Sequence, residues 1–595
     1  MKSIDIPHIE RLPGVHAEKH PDGIDIIGAT YRLRFGGDRY VALTDAAGED
    51  WTALSACSNL HTAEVADATL QLQTAQVETA DDGTVTVRQA VDSTAWETKQ
   101  RVWTCHDDVV QMYEEVTTSE PRRLTDITLL GGDYTAPNAS GFFPSKADFA
   151  AVFNPQPDIL ERRLTPAYES TLITTNGMWV AGRAREFNVP TPWCFGLTKA
   201  AATNNEQVAP GVYLMAGVAA PIDEQNFTEV KYDPRGDGWA LGIYYEGHTT
   251  VTDNFRTPSV LLHFADDPYE GLADYVSYGR RFGLIEQSPI PTLADWHAKS
   301  MFCGWGEQIE QARLSGTPRT RVSAADLANQ AFYDHALEQL ESHGVWPHTI
   351  MIDDKWQSQY GLNVPDTDKW PDMAGWIRDQ HELGRRVLLW MRMWSPDGLP
   401  PELCVQNAAG VPVSSDPSNP DFLALLDTQV THMLSPDGLD ADGLKVDFLA
   451  QTPTGPTLHA HGSAWGATLL HTYLKRIHTT ATAIKPDALI ISHSPSPSFA
   501  DVGTMSRFND INDKRPVIPQ MLHRLHVAEA ALPHHLYDTD NWPMPNRKTW
   551  RDYIGVQRLL GVPALYYATH VAGEPLEPRD YAALRELGFT RDTSS

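Results

Sequence analysis

A chain of 595 residues with 42% hydrophobic and 21% charged side chains is long enough for several domains and apolar enough to bury a core, which excludes wholesale disorder. Its 77 acidic against 47 basic residues leave a formal charge of −30, a surface that repels phosphate backbones and anionic lipid, so neither nucleic acid nor a membrane is expected as partner. The opening MKSIDIPHIERLPG carries acids and prolines where a signal peptide has an apolar centre, and no run approaches the roughly 18 apolar residues of a membrane span. Cys57, Cys105, Cys194, Cys303 and Cys404 are odd in number and far apart, which fits a reducing compartment, the cytoplasm, better than a disulfide framework.

From about Asp25 to about Phe264 the chain is a succession of short alternating runs, such as TYRLRF, GTVTVRQAV, ETKQRVWTC and SVLLHF, punctuated by Asp-Gly, Gly-Gly and proline turns. Apolar residues at every second position predict half-buried antiparallel strands and a large β-sandwich over 1–285, with no catalytic constellation of its own. From about Leu293 onward, strands and amphipathic helices alternate instead. The predicted strands are 299–305, 348–354, 385–394, 442–449, 488–494, 504–511, 534–540 and 563–570, and helical stretches such as WGATLLHTYLKRIHTTATAI lie between most of them. The connection PSPSFADVG, between the fifth and sixth, is too short for a full helix. This rhythm predicts an α/β catalytic domain, a (β/α)8 barrel over 286–595, and no further C-terminal domain.

Functional groups of such a barrel project from the C-terminal strand ends. Here the second strand ends in Asp353-Asp354 and runs into Lys355-Trp356-Gln357, and the third ends in Trp390, Arg392 and Trp394. Lys445 and Asp447 close the fourth, Ser492 and His493 the fifth, Arg507 and Asp510 the sixth, and Asp538 and Asp540 the seventh. Carboxylates, cations and indoles thus converge on one mouth. Two carboxyl groups in different protonation states can attack and protonate a glycosidic bond, and indole faces stack on sugar rings.

The residues themselves resemble the retaining α-galactosidase clan, glycoside hydrolase families 36 and 27, with family 31 more distant. MIDDKWQ resembles the I-D-D-G-W segment of the second strand, and DKWPDMAGWIRDQHELGRRVLLWMRMW the stretch leading through the third. DGLKVDF resembles the segment ending in the nucleophile, and RFNDIND the segment around the acid/base. The resemblance implies a retaining, exo-acting α-glycosidase, first of all an α-galactosidase acting on small oligosaccharides or glycosides. Asp447 would be the nucleophile and Asp510, with Asp513 as neighbouring rival, the general acid and then base. The resemblance further implies that Lys445 bonds a sugar hydroxyl beside the nucleophile, that Asp353 and Asp354 read the 4- and 6-hydroxyls, and that Trp305 and Trp390 wall the pocket. Trp356, Arg392, His493 and Arg507 complete the expected substrate contacts.

Departures from the family pattern bear on the sugar. Lys355 replaces the usual glycine, His493 stands where family 36 has a cysteine-containing segment, and Arg507 lies three residues before Asp510 rather than four. Lys355 or Arg392 is the candidate to contact an acidic or otherwise unusual sugar. Other readings stay open: a raffinose-synthase-like transglycosidase, a metal-dependent barrel hydrolase, or a non-catalytic carbohydrate-binding protein. His459 and His461 fall in a Pro/Gly loop rather than at a strand end, so neither a metal nor another cofactor is expected. Whether the chain forms a homo-oligomer is left open.

Overall fold

In the computed structural model, residues 14–37, 39–135, 141–147, 149–156, 161–163, 174–177, 190–200, 208–235, 238–316 and 320–591 are described. The N-terminal part consists of two 11-stranded antiparallel sheets packed face to face. The alternation read from the sequence is what seats them. In Tyr31–Phe35 the residues Tyr31, Leu33 and Phe35 are buried while Arg32 and Arg34 point to water, and the nine-residue strand Val85–Ser93 follows the same period of two.

The sandwich core also holds charge. Lys99 pairs with Asp67 at 2.7 Å with both side chains fully buried. Arg101, buried beside Glu114, reaches across to the carbonyls of Ser55 and Leu129 in the facing sheet. Removing one member of such a pair strands the other charge in a low dielectric. Arg101→Ala is therefore expected to cost about 3–5 kcal/mol of stability, to be read from urea unfolding.

A helix, Pro268–Arg281, joins the two parts. Asp267 caps it by accepting from the amides of Tyr269 and Glu270, and Pro268 at the first position needs no amide partner. Its Tyr269 hydroxyl meets His523 Nδ1 at 2.9 Å, and His523 Nε2 lies 2.9 Å from the Gln156 carbonyl, so one barrel histidine ties helix and sandwich together.

The second part is a parallel barrel. Its strands are β1 (Met301–Cys303), β2 (Thr349–Ile352), β3 (Arg386–Arg392), β4 (Gly443–Asp447), β5 (Leu489–Ser492), β6 (Met505–Arg507), β7 (Leu536–Asp538) and β8 (Ala564–Leu565). They pair in chain order from β1 to β7, β8 pairs with β1, and a single parallel bridge between Asp538 and Val562 closes the ring. Each strand falls inside the segment expected for it, and β5 and β6 are joined by a 3-10 turn, Pro497–Phe499, instead of a helix. The strands are nearly all apolar because both faces are covered, one by the barrel interior and the other by the helices.

The sandwich grips one loop of the barrel. From its longest strand, Gly238–Val251, Glu246 accepts from the Gly455 amide at 2.8 Å and from the Trp465 indole at 3.0 Å. His248 stacks on Trp465 with ring centres 3.6 Å apart and meets the Gly455 carbonyl at 2.9 Å. Gly466, at φ +56°, admits this approach: a Cβ there would lie 2.1 Å from the Phe227 carbonyl oxygen. The loop so held is the one that follows β4.

Candidate active site

A cleft of about 820 Å³ opens over the C-terminal ends of β4 to β8. Asp447, Phe448, Gln451, His493, Arg507, Asp510 and Trp542 are among its walls, and every described lining residue comes from the barrel. Among the described residues, the sandwich thus braces the cleft without lining it.

Asp447 ends β4. Its Oδ2 accepts from the Trp390 indole at 3.0 Å and its Oδ1 from the Phe448 amide at 2.8 Å, which fixes the carboxylate plane. Burial would raise this carboxyl, but Arg507, 3.5 Å away, and Lys445 outweigh burial and hold it well below the usual carboxylate range. His493 adds to that pull only when it is protonated. Burial and the nearby Arg507 push its imidazole down to about 3, so it stands neutral, its Nε2 3.8 Å from Asp447 and both ring nitrogens buried without a hydrogen-bond partner.

Asp510 lies just past β6, a third of its side chain open to the cleft. Burial, with Asp540 and Asp447 adding to it against the pull of Arg507, pushes its carboxyl up to about 6. The loop that carries it is held from below. Arg524, on the helix Val517–Ala531, donates to the carbonyls of Phe508, Asn509 and Asp510 at 2.8–3.0 Å. Asn509, at φ +70°, returns its side-chain oxygen to the Asp510 amide at 2.9 Å. Asp513 does not compete for this place: it is exposed at the outer wall of the cleft.

Arg507 joins the two aspartates. Its Nη2 is 3.5 Å from Asp447, and its Nη1 is 3.2 Å from Asp510 and 2.7 Å from the fully buried Asp540. One guanidinium therefore touches an ionised carboxylate and a carboxyl poised to hold a proton, the arrangement that acid-assisted displacement requires.

Several residues expected at the sugar are deeply buried and bonded to one another. Asp353 is 3% exposed, and its Oδ2 takes Lys445 Nζ at 2.6 Å and the Cys303 thiol at 3.0 Å while Oδ1 takes the Asp354 amide. Asp353 and Lys445 thus form a buried ion pair close to Asp447, since a buried ammonium needs its counter-charge close. Trp356 is fully buried with its indole donating to the Trp390 carbonyl, and Trp390 is 1% exposed with its indole spent on Asp447. Neither indole presents a face to the cleft.

The remaining groups are at the mouth. Asp354 is half-buried, accepts from the Tyr360 hydroxyl at 2.8 Å, and is pushed up to about 6 by burial. Trp305 lies in the first turn of the helix Gly304–Leu314 instead of on β1, edge-on to Trp542 at 5.8 Å. Arg392, in register with Asp447 on β3, lies 4.5 Å over the Phe448 ring and 4.9 Å over Tyr360. It donates to Gln451 at 3.3 Å, with its Nε buried and unpartnered.

Lys355 turns onto its own loop. Its ammonium donates to the Ser358 carbonyl at 3.0 Å and sits 4.2 Å over the Tyr360 ring. Its φ of +75° accounts for the glycine of the family pattern: the turn after β2 needs the left-handed region, which a lysine enters at a cost of about 1–2 kcal/mol. Lys355→Gly is expected to leave the turnover of a neutral glycoside within about twofold and to change stability by no more than about 1 kcal/mol, relief of strain offsetting the lost contact. Steady-state kinetics and thermal unfolding check both.

Sequence reasoning did not single out Arg524, Asn509 or Tyr360. Each acts through the fold, from a helix interior or a loop, and carries no motif signal of its own. Among the described residues no group of three or more His, Cys, Asp or Glu side chains is placed to hold a metal ion, and no helix is long and apolar enough to cross a membrane.

No family model matches the chain, and no curated protein sequence does. Solved structures do match. A family 31 sulfoquinovosidase from E. rectale, in complex with an aza-sugar inhibitor, aligns over 96% of this chain and 82% of its own at 12% identity, with a TM-score of 0.56. The cycloalternan-forming enzyme of Listeria monocytogenes aligns over 96% of this chain and 57% of its own at 11% identity and a TM-score of 0.53. An α-galactosidase from Lactobacillus brevis aligns over 95% and 74% at 13% identity and a TM-score of 0.50. The chain thus spans between about half and four fifths of the length of these relatives in structure. At such identities the likeness is one of fold: an antiparallel β-sandwich followed by a (β/α)8 barrel.

Proposed function

We propose that the protein is a retaining α-glycosidase acting on the non-reducing end of small glycosides, with an α-galactoside as first substrate. The observation that carries this reading is the pair of carboxyl groups at the ends of β4 and β6, one held ionised and the other raised toward protonation, joined by Arg507. Asp447 attacks the anomeric carbon while Asp510 protonates the leaving oxygen, which gives a glycosyl-aspartate. Asp510 then deprotonates the water that releases the sugar with its anomeric configuration retained. His493, neutral and unpartnered beside Asp447, is placed to bond a hydroxyl of the same ring, and Asp354 with Tyr360 reads hydroxyls on its far side. The fold shared with an α-galactosidase and a sulfoquinovosidase supports the class of reaction. A cytoplasmic location fits a substrate small enough to be imported, and no cofactor enters the scheme.

One observation favours a second reading of the sugar. Arg392 sits at the mouth near Asp354 but, among the described residues, with no carboxylate within 4.0 Å and with an unpartnered Nε, which suits a glycone with an anionic substituent. A panel of aryl α-glycosides tests both readings: galactoside, glucoside, N-acetylgalactosaminide, uronide and sulfoquinovoside. Release from the galactoside by the wild type supports the first reading and release from an anionic glycoside the second. Silence across the α-linked panel, or release of aryl β-glycosides instead, rejects the class.

A further inference from the structure

Asp540 was not needed to build the catalytic pair, yet it makes the shortest of the contacts of Arg507 with a carboxyl group. It is fully buried just past β7, its Oδ1 accepting from the Trp542 amide at 3.0 Å and its Oδ2 from Arg507 Nη1 at 2.7 Å. Its own amide donates to Asp538 Oδ1 at 3.0 Å, so the turn that presents it is self-braced. The same Arg507 nitrogen also serves Asp510, at the longer distance of 3.2 Å. A fork with a limited set of N–H directions is thus shared unequally: the sealed carboxylate has the better bond, and the open one the poorer.

We propose that Asp540 is a positioning residue of the catalytic pair: by anchoring Arg507 from behind, it keeps that cation from claiming Asp510, which is thereby left to carry the proton for the leaving oxygen. The inference rests on the reading of Asp447 and Asp510 as nucleophile and acid/base.

Charge accounting supports it. The groups facing this cluster are Lys445 and Asp447 from β4, His493 from β5, Asp510 from β6, Asp538 from β7 and the Tyr566 phenol from β8, with Tyr553 behind the turn. His493 is neutral, and Lys445 is matched at 2.6 Å by Asp353. Among the described residues, the one cation within 4.0 Å of the Asp510 carboxyl is therefore Arg507. Burial pushes the Asp510 carboxyl up and Arg507 pulls it down. Replacing Asp540 by the isosteric neutral amide keeps an acceptor for one of its two donors, the Trp542 amide or Arg507, and removes a negative charge that favours the protonated form of Asp510.

The test uses the full-length protein, methyl α-galactoside, and 2,4-dinitrophenyl α-galactoside, whose leaving group needs no proton. Asp510→Ala, measured first, should lose the methyl glycoside and retain much of the dinitrophenyl one. Equal loss on both would reject the catalytic pair itself. With that pattern in hand, Asp540→Asn is expected to move the alkaline limb of kcat/KM about one pH unit downward. It is also expected to lower turnover of the methyl glycoside about 30-fold, against less than about fivefold for the dinitrophenyl glycoside. An unmoved limb, with both substrates reduced alike, would mean that Asp540 only supports the fold, and the inference falls. Asp540→Glu, which keeps the charge, gives a second reading if the amide variant does not fold: a limb at the wild-type position supports the role of the charge, and a limb displaced downward overturns it.

Discussion

Asp447→Ala is expected to lower kcat on every α-glycoside the wild type cleaves by on the order of 10⁴-fold or more, since losing a covalent nucleophile removes the pathway and not merely a contact. Asp447→Asn should be nearly as inactive. The amide keeps the shape and the bond from the Trp390 indole, but it has no charge to attack the anomeric carbon or to face the developing oxocarbenium ion. Asp447→Asn keeps an acceptor for only one of the two donors, the Trp390 indole and the Phe448 amide, and Asp447→Ala for neither, so unfolding midpoints measured alongside must show that both variants are folded. Turnover within tenfold of wild type in either variant would place the nucleophile elsewhere.

Asp510→Ala is expected to cost about 10² to 10⁴-fold in kcat/KM on substrates with poor leaving groups, the range supplied by a positioned general acid. The pH profile follows from the two environments. Asp510 acts in its protonated form and its carboxyl is raised to about 6, so activity is full below that pH and is lost as the pH rises through it. Asp447 acts ionised and is held well below the ordinary carboxylate range, so the acid limb lies at correspondingly low pH. The profile should be an acidic plateau with an alkaline fall near 6, and Asp510→Ala should abolish that fall. Burial raises Asp354 and Asp540 to about 6 as well, and a fall that survived in Asp510→Ala would belong to one of these two.

How far the sequence carried this picture depended on the link in question. The barrel was legible because each strand is a short apolar run followed by polar residues, and a parallel strand covered on both faces leaves no other pattern. The strand ends were legible for the same reason, and with them the placement of Asp447, Asp510, Arg507 and His493 around one cleft. What could not be read was which atom faces which. Side chains two apart on a strand share a face, but depth within the barrel separates them. Lys445, one turn of the pleat below Asp447, is sealed against Asp353, and Trp390 gives the nucleophile its edge instead of giving a sugar its face. Trp356 illustrates the commoner fate of an indole, complete burial. Lys355 hid a backbone requirement behind a charge: the sequence suggested a ligand contact, whereas the φ of +75° shows a turn that happens to be occupied by a lysine. Arg524 escaped notice, and Asp540, though read at the end of the seventh strand, was given no role, because their contacts are to carbonyls and a cation contributed by other elements, which no local pattern encodes.

The grip of Glu246 and His248 on the loop after β4 has a bearing on how the molecule is made. The sandwich precedes the barrel in the chain, so during synthesis it can fold before β4 has left the ribosome. The strand that bears Glu246 then waits as a finished template, and the segment following Asp447 settles onto it as the barrel closes. Chains whose sandwich has misfolded would form a barrel with an unsupported loop and no ordered catalytic wall. The enzyme would thereby couple competence in its second half to quality control of its first, and point mutations deep in the sandwich would appear in cells as loss of active molecules, not as altered kinetics of the molecules that remain.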